Sequence, residues 1–157
     1  MNDDKIEIKG IAKIKEIDPR TGEIIDEEIS ENTVVYDAGA NQIANYIAGN
    51  TPTDHFEYMA IGSGGTEEGT DDTSLDTQEA ISGAITPTVE GDGSGNNRVV
   101  QWVNTFSAGD GTTSIEEMGM FNGSTGSGTD GMLNRVTFTE KDNLNNDLEI
   151  TYELTVA

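Results

Sequence analysis

The chain has 157 residues, no cysteine and a formal net charge of −22, because 30 Asp and Glu residues stand against only eight Lys and Arg residues. The missing cysteines exclude disulfides, thiolate metal sites and cysteine nucleophiles. The acidity excludes a nucleic-acid-binding protein, since such proteins need Lys and Arg to replace counterions on phosphates.

The first predicted element is a β-hairpin within residues 1–31. Apolar and polar residues alternate from Lys5 to Ile17, the period-two pattern of a half-buried strand. Asp18–Gly22 supplies a proline and a glycine for a turn, and Glu23–Ser30 is predicted to be the returning strand. The lysines that share the face opposite the isoleucines are Lys5, Lys9, Lys13 and Lys15.

A helix and several strands follow. An apolar stripe over residues 37–49, with Asp37 as the cap, predicts a short helix that closes one end of a sheet. The last strand alternates without a break, so it is expected to lie centrally in its sheet. Strands are predicted at Phe56–Ile61, Gln78–Val89, Arg98–Ser107, Ile115–Phe121, Met132–Thr139 and Leu148–Val156.

Many short strands, one helix and glycine-rich connections predict a mainly β fold, a β-sandwich or jelly-roll-like single domain over residues 1–157. No stretch approaches the about 18 consecutive apolar residues of a membrane span, so no membrane insertion is expected. The acidic start lacks the apolar run of a signal peptide, and synthesis in the cytoplasm is therefore expected.

Catalytic patterns are missing from the sequence. The single histidine, His55, has no nucleophile motif beside it and is predicted to be a surface or strand-edge residue. A non-enzymatic protein is therefore the favoured interpretation. The abundant carboxylates leave a glycosidase pair as the enzymatic alternative.

Metal binding and glycosylation have weak candidates. Asp71, Asp72 and Asp76 offer the oxygen ligands that Ca²⁺ and Mg²⁺ prefer, although no run has the ordered spacing of a calcium loop. The favoured interpretation is that no cofactor is bound, with weak binding of Ca or Mg ions as the alternative. Asn122 begins the single N-glycosylation sequon, in a loop predicted to be exposed.

Four segments, taken in order, resemble a family of small structural proteins of tailed viruses. They are the hairpin with Asn32–Gly39 and the helix, then Tyr58–Thr66 leading to Asp72–Leu75, then Ile115–Asn122, and finally Met132–Phe138 before the terminal strand. Members of that family are tail-fibre-like, baseplate-associated or head-decorating. The resemblance therefore implies a virion component without catalytic residues.

The leading functional hypothesis is a virion structural protein, a surface subunit such as a capsid turret or decoration protein that forms symmetric homo-oligomers. Its implied partners are the major capsid protein or tail and baseplate proteins. The alternatives are a tail-fibre or baseplate subunit, and a module that binds a host surface receptor through its glycine-rich loops.

The charge is unevenly distributed along the chain. Residues 1–20 carry five positive and five negative side chains, so the remainder holds the whole −22. Molar salt shortens the Debye length to about 3 Å and screens the repulsion among such dense carboxylates. The composition therefore predicts adaptation to high salt and, with the resemblance, a haloarchaeal tailed virus.

The neutral start of the chain is predicted to be the docking element. Surfaces of like charge resist association, so the least acidic part of the subunit should face its partner. Under this hypothesis Lys5, Lys9, Lys13 and Lys15 are interface residues. The alternative is that the lysines protect an exposed edge strand against edge-to-edge pairing.

Overall fold

The structure, a computed structural model, describes residues 8–32, 37–50, 55–69, 71–91, 97–127 and 130–156. Within these ranges the chain forms two antiparallel sheets and one helix in a single small domain, so the predicted mainly β fold is confirmed. In chain order the elements are β1 (Ile8–Ile17), β2 (Ile24–Asn32), α1 (Asp37–Ile47), β3 (Tyr58–Gly62), β4 (Gln78–Ile81), β5 (Thr88–Gly91), β6 (Asn97–Phe106), β7 (Ile115–Phe121), β8 (Met132–Lys141) and β9 (Asp147–Val156).

The five-stranded sheet has the order β2-β1-β9-β6-β5, and β9 lies at its centre, as predicted. Antiparallel pairing of β1 with β9 places Ile14 opposite Ile150. Alternate side chains of the two strands turn toward the other sheet, and Ala12, Ile14, Leu148 and Ile150 are fully buried. The period-two pattern in the sequence therefore gives each strand one buried face.

The predicted hairpin is confirmed for residues 8–32. β1 and β2 pair antiparallel, and the turn between them contains Gly22 at a φ of +72°. That left-handed conformation is one that glycine adopts without a steric cost, and the amide of Gly22 donates a hydrogen bond to the Asp18 carbonyl oxygen at 2.8 Å.

The four-stranded sheet has the order β4-β3-β7-β8 and packs its inner face on the first sheet. Large apolar side chains from both sheets fill the space between them, which is the arrangement of a β-sandwich. The core includes Met59, Ile61, Met118, Met120 and Val136 from this sheet and Ile14, Trp102, Phe106, Ile150 and Tyr152 from the other.

The single strand predicted at Gln78–Val89 is wrong, because the segment forms two strands in different sheets. β4 is an edge of the four-stranded sheet, and β5 is an edge of the five-stranded sheet. The chain crosses between the sheets from residue 82 to residue 87, where Gly83 and Pro87 interrupt regular pairing. Every residue of β5 is exposed. Burial therefore imposes no alternation of apolar and polar residues on this strand, and the sequence does not show where the strand begins and ends.

The predicted helix is confirmed as α1, which ends two residues before Gly49. It packs on β8 near Leu133. Gly39 permits this close approach, because a Cβ at that position would lie 2.8 Å from the Leu133 carbonyl oxygen. None of the described helical residues belongs to a segment long and apolar enough to cross a membrane.

One amide in the core has no hydrogen-bond partner among the described residues. Asn134 of β8 lies opposite Met120 of β7, is 2% exposed, and leaves both Oδ1 and Nδ2 unpaired there. An unsatisfied buried polar group costs about 1–3 kcal/mol. We expect Asn134→Leu to raise the free energy of unfolding by about 1–2 kcal/mol, measured by urea unfolding.

The matched control is Asn45→Leu, on the exposed surface of α1, which should change stability by less than about 0.5 kcal/mol. A less stable Asn134→Leu variant would contradict the expectation and would mean that the buried amide has a stabilising contact in solution.

Candidate functional site

A cluster of charges lies on the outer face of the four-stranded sheet, centred on Arg135 of β8. Its Nε donates to Glu117 Oε2 at 2.7 Å, Nη1 to Asp72 Oδ2 at 3.1 Å and Nη2 to Asp76 Oδ2 at 3.0 Å. The side chain of Arg135 is 1% exposed and that of Glu117 is fully buried. We call these four residues the Arg135 cluster.

Glu117 also holds residues 63–69 and 71–77 on the sheet. Its Oε1 accepts hydrogen bonds from the backbone amides of Gly64 at 3.0 Å and Thr77 at 2.9 Å, and Oε2 accepts one from Asp76 at 3.1 Å. A buried carboxylate is tolerated only when it is paired and hydrogen bonded, and here both conditions are met. Residues 63–69 and 71–77 therefore form a cover over the outer face of the sheet.

The cover needs glycine where it approaches the sheet. A Cβ on Gly64 would lie 2.1 Å from Asp76 Cβ, and a Cβ on Gly62 would lie 2.4 Å from the Thr77 carbonyl oxygen. On the same outer face Leu75 forms a second small core with Ala60, Phe121 and Met132. β7 and the first half of β8 are consequently covered on both faces, and nearly all of their residues are buried.

The charges of the cluster shift the pKa of two of its members. A hydrogen bond from the Thr66 hydroxyl, and then the charge of Arg135 working against desolvation, lower the pKa of Asp76. Burial alone would lower the pKa of Arg135, but the hydrogen bond and charge of Glu117 and the charge of Asp76 raise it. Because the folded pKa of Asp76 is depressed, its stabilising effect is present above its ordinary pKa of 3.8 and is lost as the pH falls through the folded value.

Two of the three residues predicted as weak metal ligands belong to this cluster. Asp72 and Asp76 pair with the guanidinium of Arg135, while Asp71 is exposed and lies outside those contacts. In the described ranges no group of three or more acidic or histidine side chains has an arrangement that would hold a metal ion. A guanidinium thus occupies the position at which the sequence suggested a cation.

The lysines of β1 lie on the outer face of the five-stranded sheet and form ion pairs within it. Lys9 pairs with Glu31 of β2 at 3.2 Å; on β9, Lys13 pairs with Glu153 at 2.9 Å and Lys15 with Glu149 at 3.7 Å. Lys5, the fourth predicted interface residue, lies outside the described residues.

The interpretation that these lysines guard an edge strand is wrong. β1 has β2 on one side and β9 on the other, so its backbone hydrogen-bonding groups are paired in both directions. The sequence could not show this, because the partner β9 is supplied by residues more than a hundred positions later.

The edge of β8 is protected by carboxylates. Two backbone amides of β8 donate to carboxylates. The Thr137 amide donates to Glu68 Oε1 at 2.7 Å, and the Thr139 amide donates to Glu28 Oε1 at 3.1 Å. The buried ammonium of Lys141 donates to Glu28 Oε2 at 2.7 Å. These side chains connect β2 with β8 at one side of the sandwich, and they occupy amides that would otherwise be open to another strand.

Asn122, the predicted glycosylation residue, is half-buried at the end of β7. Its Oδ1 accepts a hydrogen bond from the Gly131 backbone amide at 2.6 Å, and the backbone amide of Asn122 donates to the Gly131 carbonyl oxygen at 3.0 Å. The side chain therefore closes the base of the loop between β7 and β8, a structural role that accounts for asparagine at this position.

His55 is exposed, as predicted, and lies three residues before β3. Its Nδ1 lies 2.9 Å from Tyr46 Oη. The two rings face a cleft of about 500 Å³. This cleft, which we call the aromatic cleft, is lined by Tyr46, His55, Phe56, Glu57, Thr86, Pro87, Val100 and Trp102.

Sequence reasoning missed both the aromatic cleft and the centre of the Arg135 cluster. The cleft combines residues of α1, β6 and two connecting segments, and no spacing in the sequence links them. Arg135 and Glu117 did carry a signal: each is a charged residue in a strand that also carries large apolar side chains, and such a charge must be paired if both faces of the strand are covered.

Segments that resemble the tailed-virus family meet at the Arg135 cluster. Tyr58–Thr66 and Asp72–Leu75 supply β3 and most of the cover, Ile115–Asn122 supplies Glu117, and Met132–Phe138 supplies Arg135. Comparisons of the chain with protein-family models, curated proteins and solved structures find no match. The resemblance therefore depends on these segments and their order.

Proposed function

We propose that the protein is a non-enzymatic structural subunit of a tailed virus of haloarchaea, a surface subunit such as a capsid turret or decoration protein. The observation that supports this best is the meeting of the second, third and fourth resembling segments in one structural unit, the Arg135 cluster and its cover. A set of motifs that only shared composition with the family would not be expected to converge in space.

A structural subunit needs an attachment surface, and the outer face of the five-stranded sheet has suitable chemistry. It carries Lys9, Lys13 and Lys15, each paired with a glutamate of the same sheet that an acidic partner could replace, together with the exposed apolar side chains of Ile29 and Val103. In a chain of net charge −22 these lysines are a large share of all the positive charge. Apolar contact area combined with cations is what an acidic partner lattice would bind.

The location of the protein in the virus is tested with an antibody raised against the recombinant protein. The antibody is applied to gradient-purified virus particles from cells that carry the gene. We expect the protein to co-sediment with particles and to remain with heads after heads and tails are separated. Recovery with tails would favour the tail-fibre or baseplate alternative. Absence from particles, with a host cytoplasmic protein as the negative control, would contradict the proposal.

Attachment is tested by the triple change of Lys9, Lys13 and Lys15 to Glu. We expect incorporation into particles to fall about tenfold or more, because each close charge pair across an interface contributes about 1.5 kcal/mol or more. Quantitative blotting of purified particles gives the measurement, after circular dichroism has shown that the variant is folded.

Two controls isolate the effect of the face. Changing the same three lysines to Arg retains the charge and should leave incorporation normal. Arg20→Glu reverses a charge in the β1–β2 turn, away from the face, and should also have little effect. Normal incorporation of the triple Glu variant would assign the attachment surface to another part of the molecule.

A further inference from the structure

The walls of the aromatic cleft are fixed by contacts that do not depend on a ligand. At its base, Trp102 Nε1 donates to the Phe56 carbonyl oxygen at 2.7 Å, and the indole stacks on Tyr152 with ring centroids 5.8 Å apart. At its rim, the rings of Tyr46 and His55 lie 9° from parallel. A cleft held in this way loses little conformational entropy when it binds.

Among the described residues that line the cleft, Glu57 is the one with a carboxylate. Its backbone is anchored on both sides, since its amide donates to the Phe121 carbonyl oxygen at 3.1 Å and its carbonyl accepts from the Ile85 amide at 2.7 Å. Within the described part of the chain, no Lys or Arg lines the cleft and no ion pair engages the Glu57 side chain. Glu57 is half-buried as a residue, and no described cation pairs with its carboxylate.

The chemistry of this lining selects among ligand classes. An anion would be repelled by the carboxylate of Glu57 and by the net charge of −22 on the protein. An inorganic divalent cation needs six or more oxygens, and the described lining residues offer it one carboxylate. A neutral apolar ligand would cover Glu57 without compensating its charge. An organic cation satisfies both parts of the lining, because its charge pairs with the carboxylate and its alkyl groups pack on aromatic faces.

We infer that the aromatic cleft binds a small, soluble organic cation of the quaternary ammonium class. Tyr46, His55 and Trp102 contact the alkyl groups, and Glu57 pairs with the charge. The volume of about 500 Å³ lies in the range of small-molecule sites. In concentrated salt, Na⁺ and K⁺ compete for the carboxylate but cannot replace the contacts to the rings.

The test uses Trp102, which is the only tryptophan of the chain and lies in the cleft. Choline chloride is titrated against KCl at constant total salt while tryptophan fluorescence is recorded. We expect a saturable change with a Kd of about 1 mM or tighter. The neutral analogue 3,3-dimethylbutan-1-ol has the same shape without the charge, and it should give no saturable change in the same range.

Substitutions assign the contacts. Glu57→Gln removes the negative charge and should weaken choline binding about tenfold. Tyr46→Leu replaces the aromatic ring by an aliphatic side chain and should weaken choline binding several-fold. Glu140→Gln makes the same charge change on the exposed part of β8, and it should leave the Kd unchanged. That control separates a contact in the cleft from the general attraction of an acidic protein for cations.

Three outcomes would overturn the inference. Equal binding of choline and the neutral analogue would show an apolar site. Equal effects of Glu57→Gln and Glu140→Gln would show attraction by net charge alone. A silent fluorescence titration is followed by saturation-transfer NMR on the choline methyl protons, and absence of both signals would show that the cleft does not bind this class of ion.

Discussion

Replacing Arg135 by methionine is expected to lower the free energy of unfolding by about 3–5 kcal/mol, the range measured when one partner of a buried ion pair is removed. The variant leaves Glu117 fully buried without the guanidinium of Arg135. It also removes the ion pairs that Asp72 and Asp76, both in the cover, make with Arg135. Urea unfolding of the wild type and the variant in the same salt gives the measurement.

The matched control is Arg20→Met, because Arg20 makes an ion pair with Asp18 but its side chain is 86% exposed. Exposed pairs contribute about 0–1 kcal/mol, so the two identical substitutions should differ several-fold in effect. The double variant Arg135→Met with Glu117→Leu should lose less free energy of unfolding than the two single variants added together, since it leaves neither member of the buried Arg135–Glu117 pair without its partner. Equal costs for Arg135→Met and Arg20→Met would show that the Arg135 cluster is open in solution.

Dilution from molar to about 0.1 M salt is expected to lower the melting temperature by about 10 °C or more. For a chain of this size that corresponds to a loss of several kcal/mol in the free energy of unfolding. The cause is repulsion among the carboxylates behind the charge of −22, which molar salt screens and dilute buffer does not. Thermal unfolding followed by circular dichroism across a KCl series gives the measurement, and an unchanged melting temperature would contradict the prediction.

Salt also strengthens apolar burial, so the prediction needs a variant that changes charge alone. Glu23, Glu67, Glu90 and Glu140 are exposed, and changing all four to Gln removes four negative charges from the surface. This variant should retain more of its stability on dilution than the wild type. Identical salt dependence would attribute the effect to burial of apolar surface.

The two-layer fold was predictable from the sequence because burial on one face imposes alternation. Residues 8–17 and 147–156 show it clearly, and both form strands where it predicts them. Alternation gives the face of a side chain but not the neighbour of a strand. For that reason the outward orientation of Lys9, Lys13 and Lys15 was predicted correctly, whereas the alternative that placed β1 at an edge of the sheet is wrong.

The sites were less predictable, because their parts come from distant positions. Asp72 and Asp76 were noticed as an acidic group, but the cation that pairs with them is supplied about sixty residues later by Arg135. Residue type alone cannot distinguish carboxylates that await a metal from carboxylates that bind a guanidinium. The aromatic cleft had still less signal, since Tyr46 and Trp102 belong to elements whose helical and strand patterns explain them fully as packing residues.

The central position of β9 dictates when the larger sheet can form during synthesis. The hairpin of β1 and β2 and the pair of β5 and β6 are synthesised earlier, yet β9 lies between them in the sheet and follows every other described strand in the sequence. Until then each hairpin has an unpaired edge and an uncovered apolar face, the features that promote aggregation. Dense negative charge on the nascent chain would keep such incomplete chains apart, so it protects solubility before it can affect the stability of the folded protein.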